Sequence, residues 1–348
     1  MTTVGAGVVT TVSHNAGSAF AALRRQITEA GLLGRRPGYY CAKIAATVLA
    51  YLGGWAAFVW FGDSWVQLVT AVALGILYTQ VAFLGHDGGH RQVFRSRRGN
   101  DLLGLILGDL LVGLSFGWWR DKHNRHHAHP NTEGRDPDIA INALAFTPAQ
   151  AQGRTSWLTR VLTRRQAWLF FPMLTLEGFH LHSASIRHVL TGRHREGWRE
   201  AVLLLSHLIA YFGLLLLILS PAKALVFMVV QQCAFGAYLG CSFAPNHKGM
   251  PILDADAESD FLSRQVITSR NVRGGWFTDW ALGGLNYQIE HHLFPSMPRP
   301  NLRRAQPIVR AYCQQLQLPY AETSLIDSYL IVLRHLNAVA RPALVLPD

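Results

Sequence analysis

Sixteen histidines occur in the 348 residues, and eight of them fall into patterns that could do chemistry. His86-Asp87-Gly88-Gly89-His90 is an HxxxH pair, whose i, i+4 spacing sets both imidazoles on one face of a helix. His123-Asn124-Arg125-His126-His127 is an HxxHH cluster, and Gln288-Ile289-Glu290-His291-His292 is its QxxHH counterpart. An eighth imidazole, His247, follows Ala244-Pro245-Asn246.

Any one of these clusters alone reads as an ordinary polar helix face. Three together, all at helical spacing, read as metal ligands. Imidazole suits zinc, copper, iron and nickel, and it does not by itself separate iron from copper. A zinc site uses three or four protein ligands, so seven or eight histidines exceed one such site and imply two metal ions. A redox pair at the edge of an apolar interior suits oxygen chemistry on a hydrocarbon better than hydrolysis.

The acidic residues beside the clusters, Asp87, Asp121, Glu133, Asp136, Asp138 and Glu290, are expected to hold imidazoles by accepting their second N–H. Asn246 and Gln288 are candidates for direct or water-mediated ligation, with turn capping the alternative for Asn246. The histidines outside the patterns, His14, His129, His180, His182, His188, His194, His207 and His335, are read as local hydrogen-bonding residues.

These clusters must be positioned by apolar elements. Half of the residues are hydrophobic and 15% are charged, well below the quarter or so usual in soluble domains. Residues 41–61 and 64–85 each match the ~20 residues that cross a hydrocarbon core, and 201–219 and 222–243 form a second pair split at Ser220-Pro221. Two hairpins return the chain to one side, so all three clusters share a membrane face.

Residues 102–117 could be a fifth span, but the stretch is short and carries Asp109 at its middle. An interfacial or re-entrant helix is expected there, which keeps the histidines on one side. Further interfacial helices are expected over 16–32 and over 167–181.

The formal charge of +11 is spread through the segments between apolar runs rather than along one basic helix, which argues against nucleic acid. It places the N-terminus, the histidine-bearing segments and the C-terminus in the cytoplasm, in a multi-pass protein of the cytoplasmic membrane. The expected division is an N-terminal cytoplasmic segment over 1–38, a membrane domain over 39–320 and a cytoplasmic tail over 321–348. Four cysteines without CxxC spacing indicate neither a zinc finger nor a disulfide framework.

HDGGH, HNRHH with the following HPNTEGRDPD, and QIEHHLFPSMPRPNL resemble the membrane fatty-acid desaturases, particularly those of actinobacterial acyl-CoA type. The likeness runs over roughly residues 40–320. It implies an all-α integral membrane fold of four transmembrane helices with interfacial helices and a cytosolic helical cap. It further implies two iron ions held by His86, His90, His123, His126, His127, His291 and His292, with His247 as the additional histidine, and oxygen-dependent insertion of a double bond into an acyl chain.

Gln288 stands where the stearoyl-CoA type has histidine and is typical of front-end desaturases, so regiochemistry is not inherited. Front-end enzymes usually carry a fused cytochrome b5 domain with an HPGG motif, which this sequence lacks. Electrons are then expected from a separate reductase or ferredoxin-type protein, docking on the arginine-rich face. The expected substrate is a fatty-acyl chain, as acyl-CoA or in a membrane lipid, with dioxygen as co-substrate.

Trp118 and Trp119 are read either as walls of a substrate tunnel or as interface anchors. A hydroxylase or ketolase of the same family is the alternative activity, and a zinc-dependent membrane hydrolase or receptor the remote one.

Overall fold

The computed structural model describes residues 16–141, 143–192 and 197–341; His14 and His194 lie outside them. Four helices are long and apolar enough to cross a membrane: α2 (Pro37–Phe61), α3 (Gln67–Gly89), α10 (Gly197–Ile218) and α11 (Pro221–His247). Their sequences explain their ends. Proline at the first turn opens both α2 and α11, where its missing N–H costs no intrahelical bond.

The tips of the two hairpins meet away from the histidines. Asp63 accepts hydrogen bonds from the Ser220 amide (3.1 Å) and hydroxyl (3.2 Å) and lies 3.3 Å from Lys223. In the bundle, α3 is the most enclosed span and packs along α11, with Tyr78, Val81, Leu84, Phe235 and Leu239 buried between the helices. Leucines 205, 216 and 217 of α10 face outward, as expected where lipid replaces water.

The remaining helices gather at the other end of the bundle. Chain order there begins with α1 (Ala16–Glu29), α4 (Arg97–Leu105), a π-helical turn (Ile106–Val112) and α5 (Phe116–Ala128). The segment continues through α6 (Pro148–Gln152), α7 (Trp157–Arg164), α8 (Gln166–Leu174) and α9 (Glu177–Leu190). After α11 come α12 (Phe261–Ile267), α13 (Trp276–Ala281), α14 (Gln288–Leu293), α15 (Arg299–Gln315) and α16 (Leu325–Ala340). Strands β1 (Arg270–Val272) and β2 (Ala321–Thr323) pair in parallel, a small addition to an otherwise helical fold.

The stretch over 102–117 is broken. The helix over Arg97–Val112 turns by 115° before α5 begins, so the chain folds back to the cap. The helix expected over 167–181 is two helices, α8 and α9, with Trp168 strongly exposed and Phe170 buried.

The boundaries drawn at 38 and 320 are not those of the packed structure. Helix α1 buries Leu23 and Ile27 in a core with Leu262, Val309 and Cys313 of the cap. Residues 321–340 do not form a tail: Val332 and Leu336 of α16 are fully buried beside Phe146, Phe170 and Ala244. Spacing within either end segment does not reveal partners so distant in sequence.

Candidate metal centre

Four elements bring the imidazoles together at the cap end of the bundle. His86 lies in the last turn of α3 and His90 caps it. Helix α5 carries His123, His126 and His127; α14, only 6 residues long, carries Gln288, His291 and His292; and His247 is the last residue of α11.

The imidazoles divide into two groups. One ligand nitrogen from each of His86, His90, His123 and His291 lies within 4.8 Å of the others, and so do those of His126, His247 and His292. His127 falls between them, with its ring stacked on His292 at 4.2 Å and 4.8 Å from His291. Its Nε2 is 3.1 Å from that of His123.

Hydrogen bonds at the far sides of three rings decide what they present to the centre. His126 Nδ1 lies 3.0 and 3.1 Å from the two carboxylate oxygens of Asp136. His247 Nδ1 lies 3.0 Å from the Thr268 carbonyl, and His292 Nδ1 2.8 Å from Gln265 Oε1. Each partner can only accept, because Gln265 spends its Nε2 on the His127 carbonyl. Each Nδ1 therefore carries the proton, and each Nε2 turns its lone pair inward.

Those lone pairs converge, with Nε2 to Nε2 distances of 3.3 Å for His126–His247 and 3.0 Å for His247–His292. Lone pairs repel at such distances unless a cation stands among them. In the other group His90 and His123 approach to 2.9 Å, and the Nε2 atoms of His86 and His291 are buried with no hydrogen-bond partner. The donor set fits two metal ions with nitrogen ligands.

Electrostatics agree. Burial, reinforced by neighbouring imidazoles, holds His90, His123, His127, His291 and His292 well below the ordinary histidine range. They are neutral at neutral pH, the form that binds a metal.

Asn246 and Gln288 stand at the same place. Gln288 Nε2 lies 2.8 Å from His247 Nε2, while its Oε1 accepts from Asn246 Nδ2 at 3.2 Å. A rotated amide would turn the Gln288 oxygen inward instead. Trp119 stacks on His123, with ring centroids 4.6 Å apart and tilted by 22°, so it backs that imidazole. Trp118 is half-buried against the bundle core.

The acidic residues part company. Asp136 holds His126 and also accepts from the Asn131 and Asp138 amides. Asp138 pairs with Lys122 and lies 3.5 Å from His126. Glu290 points away, accepting from Asn271 and Tyr320 at 2.7 Å each, and burial pushes its carboxyl up to about 7. Glu133 accepts from Thr147, and Asp121 is exposed.

Gln265 and Thr268 escaped sequence reasoning, for neither has a spacing signal relative to His292 or His247. Of the histidines outside the clusters, His182 and His207 contact the backbone carbonyls of Val112 and Leu110, and His335 that of Phe146.

The model of the family described as fatty acid desaturase matches residues 63–324. Among similar proteins, an acyl-lipid (9-3)-desaturase of Physcomitrium patens is 32% identical over 92% of this chain and 61% of its own length. A Delta(8)-fatty-acid desaturase of Euglena gracilis is 33% identical over 93% of this chain and 79% of its own. A Delta(5) fatty acid desaturase of Caenorhabditis elegans is 31% identical over 89% and 70%. The chain thus spans about three fifths of the Physcomitrium patens relative's length. With its four apolar helices and its paired histidine groups, this integral membrane protein belongs to the fatty acid desaturase family.

Proposed function

We propose that the protein inserts a double bond into a fatty-acyl chain, using two iron ions held by His86, His90, His123, His126, His127, His247, His291 and His292. The observation that carries this reading is the convergence of the inward-facing Nε2 atoms of His126, His247 and His292. Two iron ions with dioxygen would supply the oxidising power to take hydrogens from adjacent unactivated carbons, which no side-chain acid or base can do. One dioxygen, two electrons and two protons are consumed for each alkene, and two waters leave.

The chain's own residues orient and enclose. Asp136, Thr268 and Gln265 fix the tautomers of three ligands, and Trp119 closes one side against His123. Gln288 and Asn246 form a polar pair beside His247, suited to hold a water or to complete the ligand set. The acyl carrier is coenzyme A or a membrane lipid, the electrons come from a separate donor, and the arginine-rich cap lies in the cytoplasm with both termini.

The test is expression in a host that lacks the product, with double-bond positions mapped by gas chromatography and mass spectrometry, and purified enzyme assayed with acyl-CoA and acyl-phospholipid. A new unsaturated acyl chain supports the reading. A hydroxylated product, or one zinc per chain with no oxidation, overturns it.

A further inference from the structure

The break between Val112 and Phe116 creates an unusual demand for hydrogen bonds. Where a helix ends inside an apolar bundle, its last carbonyls and the first amides of the next helix lose their intrahelical partners, and protein groups must replace them.

On the carbonyl side, three polar side chains arrive from three different helices, His182 sharing its single N–H between Val112 O and Gly178 O, 2.8 Å from its Nδ1. His207 Nδ1 of α10 meets Leu110 O at 2.9 Å, Tyr51 Oη of α2 meets Leu111 O at 2.8 Å, and His182 Nε2 of α9 meets Val112 O at 3.0 Å. On the amide side, Asp109 Oδ2 accepts from the Phe116 amide at 3.1 Å, Glu200 Oε1 from Gly117 at 2.9 Å and Ser115 Oγ from Trp118 at 3.1 Å. Glu200 Oε2 also takes the Ser115 hydroxyl at 2.6 Å. Asp109, Ser115 and Glu200 are all buried.

Two glycines leave room for this collar. Gly113 turns the chain in the left-handed region (φ +81°), and a Cβ there would lie 2.4 Å from the His207 ring. At Gly117 a Cβ would lie 2.3 Å from Glu200 Oε1.

The helix that starts on this collar is α5, the carrier of His123, His126 and His127. We propose that Glu200, with Asp109 and Ser115, is a positioning residue: it anchors the first turn of α5 and thereby sets where three of the imidazoles stand. Acceptors also suit the positive end of the α5 dipole. Glu200 touches no imidazole in the centre; its effect travels along one rigid helix, and it rests on the reading of those imidazoles as metal ligands.

The test compares Glu200→Ala and Glu200→Gln with the unchanged protein, purified in one detergent and matched for monodispersity. Amide hydrogen exchange over residues 116–128 is followed in metal-free protein, and metal is counted per folded chain after loading with ferrous iron. The alanine variant is expected to exchange at least tenfold faster across α5 and to hold less than half the iron. Glutamine, which keeps an acceptor for Gly117, is expected to restore most of both.

Unchanged exchange in the alanine variant overturns the proposal, whatever the iron content. If that variant cannot be purified, Ser115→Ala removes one hydroxyl from the collar, and unchanged exchange there overturns the proposal equally. An unchanged protein that binds no iron would sink the metal reading, while the exchange result still decides the anchoring.

Discussion

Arg299 of the cap reaches Asp87 at the end of α3, guanidinium nitrogen to carboxylate oxygen 2.7 Å, with both side chains almost wholly buried. Arg299 also donates to the Phe83 carbonyl at 2.8 Å, and its amide donates to the Tyr40 hydroxyl at 3.2 Å. The contact ties α15 to α2 and α3 beside His86. A charge buried with its partner is tolerated, whereas one stranded without it is not.

Arg299→Ala should therefore destabilise the folded protein by about 3–5 kcal/mol, because Asp87 is left buried without its partner. The double change Arg299→Met with Asp87→Leu should recover much of that loss. Thermal unfolding in detergent reads both, and a single variant as stable as the original would refute the argument.

The two imidazole groups predict separable losses. His126→Ala removes one of three ligands from one group, and His291→Ala one of four from the other. Each should lose roughly half of the bound metal and all desaturation while remaining inserted. Iron per folded chain, by plasma mass spectrometry, distinguishes this from collapse of the fold.

Asp136→Asn deprives His126 Nδ1 of its carboxylate and weakens the cradle of the Asn131 and Asp138 amides. Partners of this kind contribute about 10–100-fold to metal affinity. A chelator competition should show a decrease of that size, and unaltered affinity would remove Asp136 from the assignment.

Gln288 allows a two-way test. Gln288→His adds an imidazole beside His247 Nε2 and should slow the loss of metal to a chelator, while Gln288→Leu should hasten it. Equal rates in all three proteins would mean that Gln288 lies outside the coordination.

Stability of the metal-free protein should depend on pH. His90, His123, His127, His291 and His292 titrate lower when folded than the ordinary value near 6.5, so below that pH the unfolded chain binds more protons. Stability is then full above about pH 6.5 and falls as the solution is acidified. Glu290, raised to about 7, contributes in the opposite sense between its ordinary value and 7, one group against five. Unfolding temperature across pH 5 to 8 without metal tests the sign.

The four spans were legible in the sequence because length and apolarity are local quantities: a ~20-residue run must cross or be buried, whatever its neighbours are. The three clusters were legible for a similar reason, since i, i+3 and i+4 spacing fixes a shared face within one helix. Hairpin parity, with residues 102–117 read as non-spanning, put His86, His123 and His291 on one side.

Tertiary packing decided the rest. Which imidazoles share a group depends on how α3, α5, α11 and α14 meet, and no spacing within one helix contains that. Gln265 and Thr268 became visible only when α12 and the turn after it packed against His292 and His247. The same holds for Arg299 and Asp87, 212 residues apart in sequence, and for Glu200 and Gly117 (|i−j| = 83). Hydrogen bonds are short and directional, so a partner far along the chain declares itself only once the backbone has brought it within about 3 Å.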